Sequence, residues 1–339
     1  MTDAARTRAP APAPYVLGVD IGGTNLNVGV VPFEGGRPLV FLSEPTEAHR
    51  GAKYVVDRVI EMVRQAIREV AGPDPAAARR AFAGIGIGAP GPLDRATGTV
   101  ISTPNLGWRN FPLRDLIANA ADLPATLDND ANAATYGEWW LGAGRGAKVL
   151  VGLTLGTGIG GGIVFDGELY HGVSDAAAEI GHMTIDSTGR KCKCGNYGCL
   201  EQYASGPAIA ARAIEGLEAG ARSILPDLVA DIHQITAQTV FEAVVKGDPY
   251  AAEIMKETAR FLGAGVASLV NLLNPDRIVI AGGVTRAGDH LFLPLRDEVR
   301  RRAFRVAAEA CQIVPAELGP HAGVVGAVAC FKKETYGSL

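Results

Sequence analysis

Cysteine is scarce, with five in 339 residues, so no disulfide framework holds this chain together. A long hydrophobic run is missing too. The longest uncharged window, 149–165, has 17 residues, six of them glycine, which is short and poor for crossing ~30 Å of hydrocarbon. Neither sign of charge dominates: 32 basic against 36 acidic residues leave a formal charge of −4. That balance argues against broad electrostatic capture of nucleic acid. The opening MTDAARTRAPAPAPY carries arginines and alternating prolines but no apolar h-region. Residues 1–14 therefore read as a disordered lead, neither signal peptide nor membrane anchor. The phosphate-binding pattern GxxxxGK[ST] is absent as well. A soluble, cytosolic chain with no nucleic-acid or membrane partner is expected, long enough to bury about 75% of its extended surface.

What is present repeats. YVLGVDIGGTNLNVGVV is strand, glycine turn, strand, followed by a helical face of Val56, Val59, Val63, Ile67 and Val70. Gly72, Pro73 and Pro75 stop that helix, and AFAGIGIG returns to a buried strand. A short helix around Leu116 and Ile117 precedes the strand ATLDND, and another helix should run from Asp130 to Trp140. KVLVGLTLGTGIGGGIVFDGELY then opens a second half in the same way. Helical patterns follow over Ala208–Leu217, Val240–Val245 and Tyr250–Leu273, with strands at Arg277–Ala281 and CQIVPA and a terminal helix after Gly319. Residues 218–238 have no clear period and read as an excursion. The doubled order favours two α/β lobes around a cleft.

The glycine loops suggest phosphate, yet each is ambiguous alone. Gly156–Gly161 and Gly86–Gly91 both fit GxGxxG, but a dinucleotide site needs that pattern to open a helix. The first runs into a strand pattern, and Pro90 and Pro92 obstruct helix entry in the second. What remains are two turns, Gly22-Gly23-Thr24 and Gly156-Thr157-Gly158, able to offer N–H groups and a hydroxyl to phosphate oxygens. His182, Cys192, Cys194 and Cys199 are separated by nine, one and four residues. This spacing suits a closed, structural zinc site; free thiols in a surface loop are the alternative. Polar groups gather at predicted strand ends and loops: Asp20, Asn105, Asn129, Asp130, Glu179 and Glu201. Asp130 suits either a helix N-cap or a carboxylate facing a cleft.

These motifs carry a resemblance. DIGGTN at 20–25, NLGW at 105–108, LDNDANAA at 127–134, LTLGTGIGGGIVFDGELYHG at 153–172, EIGH at 179–182, CKCGNYGCLE at 192–201 and IVIAGGV at 278–284 resemble the ROK (repressor, ORF, kinase) family of sugar kinases, on its bacterial glucokinase branch. The resemblance implies an actin-like, ribonuclease-H-like duplicated α/β fold of two lobes with a central cleft. The lobes would be residues 15–127, completed by a helix at 319–335, and 128–318, with a zinc-binding loop at 182–199. It implies ATP-dependent phosphorylation of D-glucose at O6 with Mg²⁺, a structural Zn²⁺ and a homo-oligomer, most simply a dimer. Asp130 matches the catalytic base, and Asn105, Asn129, Glu179, His182 and Glu201 the sugar set. Gly22, Gly23, Thr24, Thr157 and Gly158 match the phosphate loops, Gly282 and Gly283 the adenosine-side turn, and Asp20 the magnesium environment. Asn25 departs from the many relatives with lysine there, which leaves magnesium and N–H groups to carry more of the phosphate charge. The repressors of the family carry an N-terminal helix-turn-helix, which a 14-residue Pro/Ala-rich lead is too short to form. An N-acetylmannosamine or N-acetylglucosamine kinase and a non-catalytic sugar and nucleotide sensor are the alternatives.

Overall fold

The computed structural model describes residues 13–103 and 106–339; the expectations for most of the N-terminal lead and for Asn105 lie outside the described residues. The first half supplies strands β1 (Tyr15–Ile21), β2 (Asn25–Pro32), β3 (Val40–Pro45), β4 (Phe82–Ala89), the short β5 (Leu93–Asp94), β6 (Thr99–Thr103) and β7 (Trp108–Phe111), and β8 (Ala125–Asn129). The second supplies β9 (Val149–Leu155), β10 (Ile159–Phe165), β11 (Glu168–Leu169), β12 (Arg277–Ala281) and β13 (Gln312–Pro315). One sheet has the order β3-β2-β1-β4-β8 and the other β11-β10-β9-β12-β13, while β5, β6 and β7 form a small sheet of their own. In both large sheets the first three strands of the half are antiparallel and the last two join in parallel. The two halves therefore share one topology.

That topology aims the chemistry. β1, β4 and β8 run parallel, so Asp20, Ala89 and Asn129 all sit at carboxyl ends of strands. Ala281 ends β12 at the matching place in the second sheet, beside Thr154. Ligands of open α/β sheets bind in crevices outside those ends. The Gly22–Thr24 turn links β1 to β2 where Ile21 pairs with Leu26, and the Gly156–Gly158 turn links β9 to β10 where Leu155 pairs with Ile159. The two turns are thus equivalent positions of the duplication.

Helices cover the sheets. The Ala52–Ala71 helix buries Val56, Val59, Val63 and Ile67 as their spacing predicts, with Val70 half-buried against the same core. The proline-rich break after it is also a new start: Asp74 accepts the N–H groups of Ala76 and Ala77, and Pro75 opens the Pro75–Ala81 helix. Between the sheets lie the Asp130–Leu141 helix and the terminal Ala322–Tyr336 helix. They touch backbone to backbone. A Cβ on Gly326 would stand 1.6 Å from the Ala133 carbonyl oxygen, and one on Gly86 would stand 1.8 Å from that of Ala327. The terminal helix thus packs on β4 and on the Asp130 helix at once. Ala133, Tyr136, Leu150, Val164, Val279 and Ala327 share one core cluster that joins both halves.

One sequence reading needs correction, and one helix went unread. Residues 218–238 are no excursion: Leu225 is buried outright and Ile235 nearly so, both in the core of the second half. Their turns are 3-10 pieces at Leu225–Leu228 and Ile232–Gln234, too short to give a period. The Asp289–Arg302 helix had no sequence signal, because seven charged residues and Pro294 mask its apolar face of Leu291, Phe292, Leu295 and Val299. Among the described residues no helix is long and apolar enough to cross a membrane.

Candidate active site

Two cavities open between the strand ends. The larger, about 930 Å³, has largely apolar walls that include Ile209, Ile214, Ile235, Phe241, Met255 and Val284. Thr24, Gly156, Thr157 and Gly283 form its edge toward the strands. The smaller, about 620 Å³, is lined by Asp20, Asn25, Asn27, Asp130, Thr154 and the Gly282-Gly283 turn, among others. Of the anticipated groups, the phosphate-turn residues Thr24 and Thr157 thus face one cavity, and Asp20, Asn25 and the anticipated base Asp130 the other, with Gly283 common to both. A Cβ added to Gly23 would lie 4.0 Å from the Thr157 hydroxyl oxygen, so the two turns confront each other.

Asp130 is released from the capping role. Asn129 is the N-cap: its side-chain oxygen accepts the N–H groups of Ala131 and Asn132 at 2.9 and 3.1 Å. Asp130 follows in the first turn, where one oxygen accepts the Ala131 N–H at 2.8 Å. Burial, then the negative charge of Asp20, raises its carboxyl to about 7, and Glu179 adds to the rise. Glu179 is therefore near Asp130, although it lines neither cavity. Asp20 is raised to about 6 by burial, offset in part by the hydrogen bond that Asn27 donates at 3.0 Å. Two adjacent carboxylates with displaced pKa values in a cleft mark a functional site.

The glycine run of β10 has a use beyond the turn. Cβ atoms on Gly160, Gly161 and Gly162 would stand 2.7, 2.5 and 2.5 Å from Ala131, Ile180 and Thr135 respectively. Bare backbone there lets the Asp130 helix and the EIGH turn approach the strand. Gly181 completes that contact, since its Cβ would lie 2.1 Å from the Ile159 carbonyl oxygen. Glu201 is anchored beside the second phosphate turn, where one carboxylate oxygen accepts the Ile159 N–H at 3.0 Å.

His182, Cys192, Cys194 and Cys199 converge, with their ligand atoms all within 4.8 Å of one another. Nδ1 of His182 lies 3.7 Å from Cys192 Sγ, and the sulfurs of Cys194 and Cys199 are also 3.7 Å apart. Edges of about 3.8 Å are what a tetrahedron with Zn–S bonds of about 2.3 Å requires. Gly195 and Gly198 turn the chain with φ of +97° and +69°, a backbone that disfavours larger residues. Three thiols and one imidazole fit zinc by number, softness and spacing. Nδ1 points to the sulfurs, so Nε2 is the nitrogen left for another partner.

One charged network has no signature in the sequence. Asp128, only 2% exposed, sits in β8 just before Asn129. Its carboxylate meets His171 Nε2 at 2.9 Å and Arg95 Nε at 3.2 Å. Arg95 reaches on to Asp175 at 3.7 Å and Glu334 at 3.0 Å. The network ties the strand that carries Asn129 to the segment leading into Glu179 and to the terminal helix. Its paired members are 33 to 239 positions apart, so no local pattern could reveal it; LDND shows only an acid at a strand end. Asp128→Ala leaves Arg95 and His171 without their shared partner and should cost about 3 kcal/mol. Chemical unfolding of the purified variant checks this, and a loss under about 0.5 kcal/mol would dismiss the network as a stabilising element.

The apolar cavity was equally hidden. Its walls come from residues 206–242, 255 and 283–287 together with Thr24 and the β9 turn, and beyond the two threonine turns the sequence offered only Gly283 there.

Comparisons with known proteins agree with this architecture. The ROK family pattern matches residues 16–334. The chain is 39% identical over 315 residues to a protein named glucokinase from Halalkalibacterium halodurans, covering 92% of this chain and 93% of that one. It is similar to the crystal structure of a ROK family glucokinase from Streptomyces griseus in complex with glucose and AMPPNP. The TM-score is 0.80 at 37% identity, covering 93% of this chain and 98% of that one. For the ROK hexokinase from Thermus thermophilus the TM-score is 0.76 at 33% identity, with 93% and 96% covered. The duplicated actin-like α/β fold expected from the sequence is the fold observed.

Proposed function

The chain belongs to the ROK family, and from that premise we propose that it transfers the terminal phosphoryl group of ATP to O6 of D-glucose. The observation that carries the reaction type is the raised Asp130 carboxylate in a polar cavity that adjoins an apolar, nucleotide-sized one through two facing Gly/Thr turns. The choice of sugar is supported by likeness to proteins named glucokinase.

Phosphoryl transfer asks for positioning and charge neutralisation more than for covalent help. Asp130 accepts the proton of the primary hydroxyl as its oxygen attacks phosphorus. A carboxyl held near 7 is a stronger base than an ordinary one and is still ionised in useful proportion at neutral pH. Asn129 spends its side-chain oxygen on the helix cap, which orients its amide nitrogen as a donor toward sugar hydroxyls. Asn105, Glu179, Glu201 and Nε2 of His182 complete the sugar set. The turns at Gly22–Thr24 and Gly156–Gly158 hold phosphate oxygens with N–H groups and hydroxyls. The apolar cavity takes the base and ribose, beside Gly282 and Gly283.

Asp20 would hold magnesium: it offers hard oxygen ligands at the polar cavity, and one of its two oxygens makes no hydrogen bond among the described residues. Magnesium, when bound, neutralises the charge of the transferring group. Zinc in the His182, Cys192, Cys194 and Cys199 cluster would be structural, because four protein ligands close the site.

The test of the substrate is kcat/KM for glucose, mannose, N-acetylglucosamine and N-acetylmannosamine at one saturating MgATP concentration. Glucose should lead the acetamido sugars by roughly 5- to 150-fold, the value of one buried hydrogen-bond partner left unpaired by the wrong sugar. Either acetamido sugar exceeding glucose would sink the choice of glucose and leave the phosphotransferase reading in place.

A further inference from the structure

Among the described residues the two cavities share only two wall residues, Gly283 and Arg286. Among the described residues Arg286 is also the only arginine or lysine on either wall. It is exposed and forms no ion pair among the described residues. Its backbone is fixed by the Gly283–Ala287 turn, where the Thr285 hydroxyl donates to the Gly282 carbonyl at 2.7 Å. That turn is seated on the end of β9: a Cβ on Gly282 would come within 2.2 Å of the Leu155 carbonyl oxygen. A rigid base thus carries a free guanidinium to the place where the apolar space gives way to the acidic one.

We propose that Arg286 is the side-chain cation that binds the phosphate chain of the nucleotide, an inference that rests on the phosphotransferase reading above. A nucleotide with its base in the larger cavity and its terminal phosphate facing Asp130 must cross the junction that Arg286 flanks. The crossing needs positive charge. Asp20 and Asp130 both add negative charge to the smaller cavity, and the β1–β2 turn ends in the neutral Asn25. Arg286 supplies the missing side-chain cation from the opposite half of the molecule. A guanidinium can hold two phosphate oxygens at once, which an ammonium cannot match geometrically.

The test measures binding by calorimetry, with ATP and adenosine as separate probes and wild type, Arg286→Gln and Arg286→Lys as proteins. Arg286→Gln should weaken ATP about tenfold or more, equivalent to about 1.4 kcal/mol, and leave adenosine and glucose binding unchanged. Arg286→Lys should recover part of the loss, since charge is kept and the fork is not. ATP bound by Arg286→Gln as tightly as by wild type would overturn the assignment. Equal weakening of ATP and adenosine would also overturn it, making Arg286 a wall of the base pocket. A wild type that binds ATP but forms no glucose-dependent ADP would instead refute the phosphotransferase reading, with the Arg286 comparison still readable from the binding data.

Discussion

Asp130→Asn should bind glucose and nucleotide with near wild-type affinity and lose about 10²- to 10⁴-fold in turnover, the usual value of a positioned general base. The fold should tolerate the change, because Asn129 and not Asp130 caps the helix, and an asparagine oxygen can still accept the Ala131 N–H. Only the base is removed. The pH dependence gives a second reading. Burial and Asp20 raise the carboxyl to about 7, and the group works as a base when ionised. Wild-type kcat/KM for glucose should therefore climb with pH and level off above about 7, and this limb should vanish in the variant. Stability should move the other way. A carboxyl raised from 3.8 to about 7 contributes stability that is full below 3.8 and lost as pH rises through about 7. At pH 8 the neutral asparagine should thus unfold no earlier than wild type. A variant with wild-type kcat refutes the assignment; one that melts early at pH 8 shows that the carboxylate was structural.

The elements legible in the sequence were those whose signal is local. Strand, glycine turn, strand is written twice within short windows, and the central antiparallel hairpin of both sheets follows from it. His182 and the three cysteines occupy 18 positions, so their convergence could be anticipated from spacing. Asn129 and Asp130 were legible as a pair, but not their division of labour, because either side chain can cap a helix and only the backbone decides which one does. The apolar cavity, the Asp128 network and the junction at Arg286 were illegible for a common reason. Each is assembled from residues far apart in the chain, and each member alone looks ordinary. Arg286 reads as a surface arginine until two cavity walls meet on it. The three glycines of β10 follow the turn read for phosphate and look like its continuation, whereas they serve close packing against Ala131, Ile180 and Thr135.

Freshly isolated, chelator-free protein should hold one zinc per chain, and Cys194→Ser should lose it, together with about 10- to 100-fold in glucose affinity, the range seen when groups that orient a site's ligands are removed. Cys194 is the informative position because it is exposed while Cys192 and Cys199 are buried, so serine there disturbs no core packing. Its effect must come through the metal. The route to the sugar is short on both sides of the cluster. His182 turns Nδ1 to the sulfurs and closes the 3-10 turn that begins after Glu179. Cys199 precedes Glu201 by two residues, and Glu201 holds the Ile159 N–H beside the phosphate turn. Without the metal, burial and the neighbouring thiols push the Cys199 thiol up to about 12, and the four ligand groups lose the ion that would join them. Loss of zinc should therefore raise the KM for glucose far more than the KM for ATP, whose anticipated contacts lie on the strand-end turns and in the apolar cavity. Cys311→Ser, which alters a half-buried thiol outside the cluster, should change neither metal content nor kinetics. Metal analysis that finds no zinc in wild type would refute the site. Zinc loss in Cys194→Ser with an unchanged glucose KM would keep the site and sever it from sugar recognition.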